Sequence, residues 1–305
     1  MPPAAATNKL LSETTRLRQD IEATRRFYLL WLLAGVLSTA SLVTGIVYQL
    51  RPAMSYEYVI IVTSVIISVV LAQVLNVFFR RAGNAVFVQG MAKAGGLRYN
   101  ANGAFSMAAI RAHKIIPAYD DCDIEHGFSG PIQNAPVSFQ EVSLSNLLQT
   151  PGHEIRRRDY TRFRGMLIRV QLQRRLGGHT VIVPRPNYQT FFRDNLAEYT
   201  AVGVPTLFDK LYNVVSTDPV EAKMIITPAF LERFMEASAL MHAKWMEVSF
   251  MDNEILFAVQ RGRPLFEIGH IWQPVTAEYL RKLADHMDAL NRMIEALRHN
   301  RHVGL

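Results

Sequence analysis

Two stretches without a single Asp, Glu, Lys or Arg, Phe27–Leu50 and Tyr58–Phe79, stand seven residues apart near the start of the chain. A helix needs about 20 apolar residues to cross a hydrocarbon core of about 30 Å. Both stretches meet that length, and neither carries the polar stripe of a surface helix. They predict a membrane hairpin over residues 27–79. Ser64, Ser68, Ala72 and Asn76 recur every four residues, so they line one face of the second span. Ala34, Ser38, Ser41 and Gly45 make a matching stripe on the first. Small residues allow the close helix approach that packing in lipid requires. Gln73 and Asn76 need hydrogen-bond partners at that depth, expected from helix to helix.

The periodicity changes after the spans. Residues 80–114 hold Gly83, Gly90, Gly95, Gly96 and Gly103, which reads as a short helix followed by a connector. From Ile115 the pattern is that of an α+β domain, extending to residue 274. Val137–Leu144 reads as a strand. Met166, Ile168, Val170 and Leu172 alternate with polar residues, the period of a half-buried strand. Gly177–Gly178 marks a turn and His179–Pro184 a second strand, expected to form a hairpin with the strand at 166–172. Lys210–Ser216 is another strand. Asp218-Pro219-Val220-Glu221 and Thr227-Pro228 are cap-plus-proline helix starts, the second running to about Met241. Trp245–Met251 and Ile255–Gln260 form a further hairpin around Asp252-Asn253-Glu254. In 275–305, Leu280, Leu283, Met287, Leu290, Ile294 and Leu297 fall at a and d positions of a heptad. That seam is expected either to dock on the chain's own sheet or to pair with another copy. The fold class is thus a membrane α-helical hairpin followed by a cytoplasmic α+β domain with antiparallel hairpins and a C-terminal amphipathic helix.

Charge supplies the orientation. Lys9, Arg16, Arg18, Arg25 and Arg26 precede the first span, and Arg80, Arg81, Lys93 and Arg98 follow the second, against Arg51 alone in the loop. Basic residues near span ends stay on the cytoplasmic side. Both termini are expected in the cytoplasm of a bacterial inner membrane, and residues 1–26 are expected to form a cytoplasmic amphipathic helix. The single Cys122 excludes an internal disulfide framework. The net charge of +7 suits a protein facing anionic lipid and does not call for nucleic acid.

At these residues the chain resembles a bacterial family of unknown function, the domain-of-unknown-function family numbered 3137. The resemblance rests on Asp123, Gly127, Gly130, Phe139 and Glu141, on Phe163-Arg164-Gly165-Met166-Leu167, and on Thr180-Val181-Ile182-Val183-Pro184. It extends through Val215–Ala222, Ile226–Ala229 and Val248–Asn253. It implies two N-terminal spans followed by one α+β domain. Members are sometimes encoded beside LemA-type membrane proteins, which implies a membrane-protein partner. The family supplies no catalytic or binding residues.

Candidate chemistry is sparse. Asp120-Asp121-Cys122-Asp123-Ile124-Glu125-His126 is the densest ligand cluster, but position 12 counted from Asp121 is Ile132, so the calcium-loop pattern fails. Zinc would need a second His or Cys. Glu125 and His126 are a candidate acid–base pair for a membrane-bound hydrolase; the alternative is a solvated loop. Ser129 lacks the final glycine of a nucleophile elbow, since Pro131 stands there. Arg156, Arg157, Arg158, Arg162 and Arg164, with Tyr160 and Phe163 between them, form the sharpest basic run. It is either a solvated loop or strand end, or a contact for anionic lipid or an acidic partner; nucleic acid ranks last. No cofactor motif is present and no cofactor is expected. The sequence thus points to a non-enzymatic, membrane-tethered interaction module that recruits a protein or self-assembles as a homo-oligomer. A hydrolase or a subunit of an oligomeric channel or transporter is the alternative.

Overall fold

Two long helices open the chain: α1, Pro3–Gln49, and α2, Glu57–Ala94. The computed structural model describes residues 3–49, 57–147, 159–192, 194–262, 264–266 and 269–298. The chain divides into two compact units. The first comprises residues 1–94 together with 266–280. Its helices are antiparallel, and their register can be read from side-chain meetings. Gly90 faces Leu17, Leu71 faces Gly35, Tyr28 and Phe79 meet ring to ring, and Thr39 Oγ1 lies 3.4 Å from Ser68 Oγ. A Cβ at Gly90 would come within 2.3 Å of the Leu17 side chain. Gly83 and Gly90 therefore do not break the helix, as expected of a connector at 80–114. They remain in α2, and the second thins it where α1 crosses closely. The helix expected before residue 27 runs on into the first apolar stretch, since α1 is unbroken from Pro3 to Gln49.

The second unit comprises residues 95–265 and 281–305. It is built on one antiparallel sheet of nine strands: β1 Arg98–Asn100, β2 Asp121–Ile132, β3 Ala135–Leu147, β4 Asp159–Gln171, β5 Thr180–Pro184, β6 Thr200–Ala201, β7 Tyr212–Ser216, β8 Trp245–Met251 and β9 Glu254–Gln260. Their order is β1-β2-β3-β4-β9-β8-β5-β7-β6. The α+β class read from the sequence is the observed one: two long apolar helices, then an antiparallel sheet with helices. The domain begins at Gly95, earlier than Ile115, and its sheet ends at Gln260 while Phe266–Leu280 belongs with the two long helices. The acidic stretch from Asp121, expected as a solvated loop, is the first half of β2. Its alternation places Cys122 and Ile124 against the core and leaves Asp121 and Asp123 exposed.

The strands bury both faces, so β8 and β9 each read buried over their five central residues. One face meets helices. These are α4 (Thr206–Asp209), a single turn, then α5 (Pro219–Ile225), α6 (Pro228–Leu240) and α7 (Ala277–Arg298), while the single turn α3 (Arg185–Asn187) lies on the other face, where Asn187 meets Glu247. Asp218 caps α5 by accepting from Val220 and Glu221 N–H, and Thr227 caps α6 by accepting from Phe230 N–H. Phe230 packs edge-on against Phe250, and Phe234 against Tyr212. The opposite face carries Val142, Leu144, Phe163, Leu167, Val181, Val183, Val215, Leu256 and Ala258. Loops with short helical turns cover it, through Met107, Ile110 and Ile115 from one segment and Phe192 and Leu196 from another.

The C-terminal helix docks within its own chain. His286, Ala289, Met293, Ile294 and Leu297 are buried, and Arg292 Nη1 lies 2.8 Å from Glu236 Oε1 of α6. Of the heptad seam, Ile294 and Leu297 lie in this buried face. The side chains of Leu280, Leu283, Met287 and Leu290 fall outside the described residues.

Candidate functional site

The basic run is only partly described: Arg156, Arg157 and Arg158 fall outside the described residues. Arg162 and Arg164 stand on β4. Arg164 Nη2 pairs with Glu125 Oε1 at 3.2 Å, so part of its charge is already offset. A bulge between Ile124 and His126 turns these neighbours apart. Glu125 goes to Arg164, and His126 Nδ1 meets Tyr99 Oη at 3.1 Å. Glu125 and His126, expected as an acid–base pair, thus each meet a different partner.

A different set of groups converges on the covered face of the sheet. Ser249 of β8 is fully buried, and its Oγ lies 2.9 Å from His113 Nδ1 and 2.8 Å from His179 Nε2. Tyr199 Oη reaches His179 Nδ1 at 2.7 Å, and Glu254 Oε2 lies 3.6 Å from His113 Nε2. Arg169 closes the far end on the other oxygen of Glu254. The Ser249, His179 and Tyr199 bonds can run in either direction along the network. With the His113 proton on Nε2, facing Glu254, His113 Nδ1 accepts from Ser249 O–H. Ser249 Oγ then accepts from His179 Nε2–H, and His179 Nδ1 accepts from Tyr199 O–H. Burial pushes His179 down to about 4, with the nearby His113 and Lys114 adding to it. Burial also lowers His113, against the opposing pull of Glu254.

The network joins three pieces of chain that no local pattern connects. His113 comes from the short helix Arg111–His113, His179 from the lead into β5, and Tyr199 from the segment before β6. Ser249 sits mid-strand opposite Val181 and has no surface, so the arrangement staples irregular chain to the sheet and offers no nucleophile to solvent. On the same face Glu247 is buried, with Oε1 accepting from Asn187 Nδ2 at 2.7 Å. Its Oε2 has no partner among the described residues, and burial pushes the carboxyl up to about 8. The sequence held one signal for these groups: in Trp245–Met251 the polar residues Glu247 and Ser249 alternate on a strand otherwise apolar on both faces.

The first unit has its own polar cluster at one end of the helix pair. Asn76 is buried; its Oδ1 accepts from Ile271 N–H at 3.0 Å and its amide donates to His270 Nδ1 at 3.3 Å. Glu22 Oε1 accepts from Val275 N–H at 2.8 Å. Arg18 Nε donates to Val275 C=O at 3.2 Å, and Arg25 Nη1 to Ile271 C=O at 3.4 Å. The segment after β9 is thus strapped along both helices. Asn76, expected to bond from helix to helix, instead holds this strap. Ser68 does meet the other helix at Thr39, while Ser64 bonds its own Ile61 carbonyl. Ser64, Ser68 and Ala72 line a shallow groove between the spans with Val36, Thr39 and Ala40.

These features can be set beside known proteins. Residues 161–299 match the model of DUF3137, a protein of unknown function. The resemblance read from the sequence therefore holds for the C-terminal domain. The DUF3137 stretch contains His179, Tyr199, Glu247, Ser249 and Glu254, and it leaves out His113 and the membrane helices. No curated protein matches the chain. Among solved structures, the chain is similar to the mycobacterial trehalose monomycolate transport factor A, TtfA, with a TM-score of 0.40 and 11% identity, covering 70% of this chain and 96% of that one.

Proposed function

We propose that the protein is a non-enzymatic scaffold of a bacterial inner membrane, anchored by α1 and α2 with both termini in the cytoplasm. The strap carries this reading. The chain leaves the sheet after β9, is hydrogen-bonded onto the two long helices, and only then continues into α7. A simple tether would need no such return. The outer faces of the helices support the same reading, since Leu30, Trp31, Leu33, Leu37, Ile61, Val65 and Val69 are all exposed. Apolar surface on this scale belongs in lipid or against another membrane protein.

The test is assembly. Full-length protein purified in mild detergent is weighed by light scattering, with co-purifying chains quantified. A scaffold gives either a defined multiple of the 34.5 kDa chain or a stoichiometric membrane-protein companion. A lone monomer with no stoichiometric companion would defeat the proposal.

A further inference from the structure

We infer that the tip of the strap, Trp272, is an interfacial anchor seated in the headgroup layer of the bilayer, level with Trp31 of α1. This rests on the reading that α1 and α2 span a membrane.

The helix register fixes the level. Leu17 opposite Gly90, Tyr28 opposite Phe79, Leu71 opposite Gly35 and Thr39 opposite Ser68 define one continuous antiparallel pairing. By that pairing Trp31 lies level with Asn76, and Arg26 with Arg81. From Asn76 back to the start of α2 at Glu57 the helix rises about 30 Å at roughly 1.5 Å per residue, the thickness of a hydrocarbon core. Asn76 therefore marks the inner boundary of that core. Arg26 and Arg81, both exposed, follow about 7–8 Å further along, where lipid phosphates would lie.

The strap climbs to this boundary. Val275 is bonded at Glu22 and Arg18, among the charges, and Ile271 is bonded at Asn76. At its upper end Gln273 N–H donates to His270 C=O at 2.9 Å, closing a tight turn. The turn buries Ile271 completely and leaves Trp272 58% exposed. Trp31 is 59% exposed at the same level. Tryptophan prefers this zone because its ring is apolar and its indole N–H needs a polar acceptor. Two exposed indoles at one depth, one on a helix and one on the strap, with arginines just beyond, have the layout of an aromatic belt facing anionic headgroups.

Depth-dependent fluorescence quenching tests the inference. The chain has three tryptophans, so Trp245→Phe with Trp31→Phe leaves Trp272 as reporter, and Trp245→Phe with Trp272→Phe leaves Trp31. Each full-length variant is reconstituted in vesicles of phosphatidylcholine and phosphatidylglycerol carrying a nitroxide on the headgroup or at acyl position 12. Trp272 should be quenched at least twofold more by the headgroup label than by the acyl label, and only weakly by aqueous iodide. Full iodide access without lipid quenching, or stronger quenching by the acyl label, would overturn the inference. Trp31 separates the two readings. If Trp31 is quenched by lipid and Trp272 is not, the hairpin reading stands and the anchor fails. If neither is quenched, both fail. Should the variants misfold, the unsubstituted chain labelled with 5-fluorotryptophan gives the same result, from paramagnetic broadening of the resonance that Trp272→Phe removes.

Discussion

Glu247, His179 and His286 give the domain a pH response whose sign follows from burial. His179 and His286 are both pushed down to about 4 from 6.5, burial being the main cause in each. Unfolding lets them take up protons, so their contribution to stability is present above 6.5 and is lost as pH falls through 4. Glu247 acts in the opposite direction. Its folded carboxyl keeps its proton up to about 8 against 4.5 unfolded, so its contribution is present below 4.5 and lost as pH rises through 8. Between 4.5 and 6.5 the two effects oppose each other, and above 6.5 Glu247 acts alone. The melting temperature of the full-length protein in detergent should therefore fall between pH 6.5 and 8.5. Glu247→Gln should flatten that upper limb, by on the order of a few kcal/mol, and leave the acid limb in place. An unaltered slope above pH 6.5 in the variant would show that the carboxyl is not held neutral.

At the level of elements, what was legible depended on whether the cause was local. The caps at Asp218 and Thr227, the β8–β9 hairpin and the two long helices were readable because sequence neighbours make them. The His113–Ser249–His179 network was not, since sheet register assembles it from residues up to 136 apart. The strap was hidden for the same reason, as were the roles of Gly83 and Gly90. Gly165 of β4 is similar: a Cβ there would lie 2.0 Å from the Val259 carbonyl oxygen in the neighbouring strand. Two predictions belong here. Ser249→Ala leaves imidazole nitrogens unpaired in the core and should cost about 1–3 kcal/mol, read as a lower denaturation midpoint. Ile294→Ala should cost about 2–5 kcal/mol through lost burial and a cavity, at unchanged molecular mass because α7 docks on its own domain. A drop in mass instead would mean that α7 pairs with a second copy.

For the whole molecule, topology and the strap can be tested together. A cysteine placed at position 54 in a Cys122→Ser background should react with an impermeant reagent applied to sealed cells, and one at position 120 should not. Labelling at 120 would reverse the proposed orientation. In the strap, Asn76→Ala should speed hydrogen exchange at the Ile271 amide, and Glu22→Ala at the Val275 amide, each by roughly tenfold or more for a lost buried bond. Rates matching the parent protein would show that the strap is held by other contacts.

Asn76 and its partner Ile271 are separated by 195 residues, and synthesis imposes a delay between them. At about 5–20 residues per second, the side chain leaves the ribosome roughly 10–40 s before the amide it will accept from. If the hairpin spans a membrane as proposed, one of its carboxamides stays uncommitted at the inner edge throughout that interval. The newborn protein is thus finished at the membrane last, by the piece of chain that returns to it. Termination after Arg261 would make the interval permanent. Such a truncated chain should insert but be cleared by membrane proteases faster than the complete one, and Asn76→Leu should lengthen its half-life again.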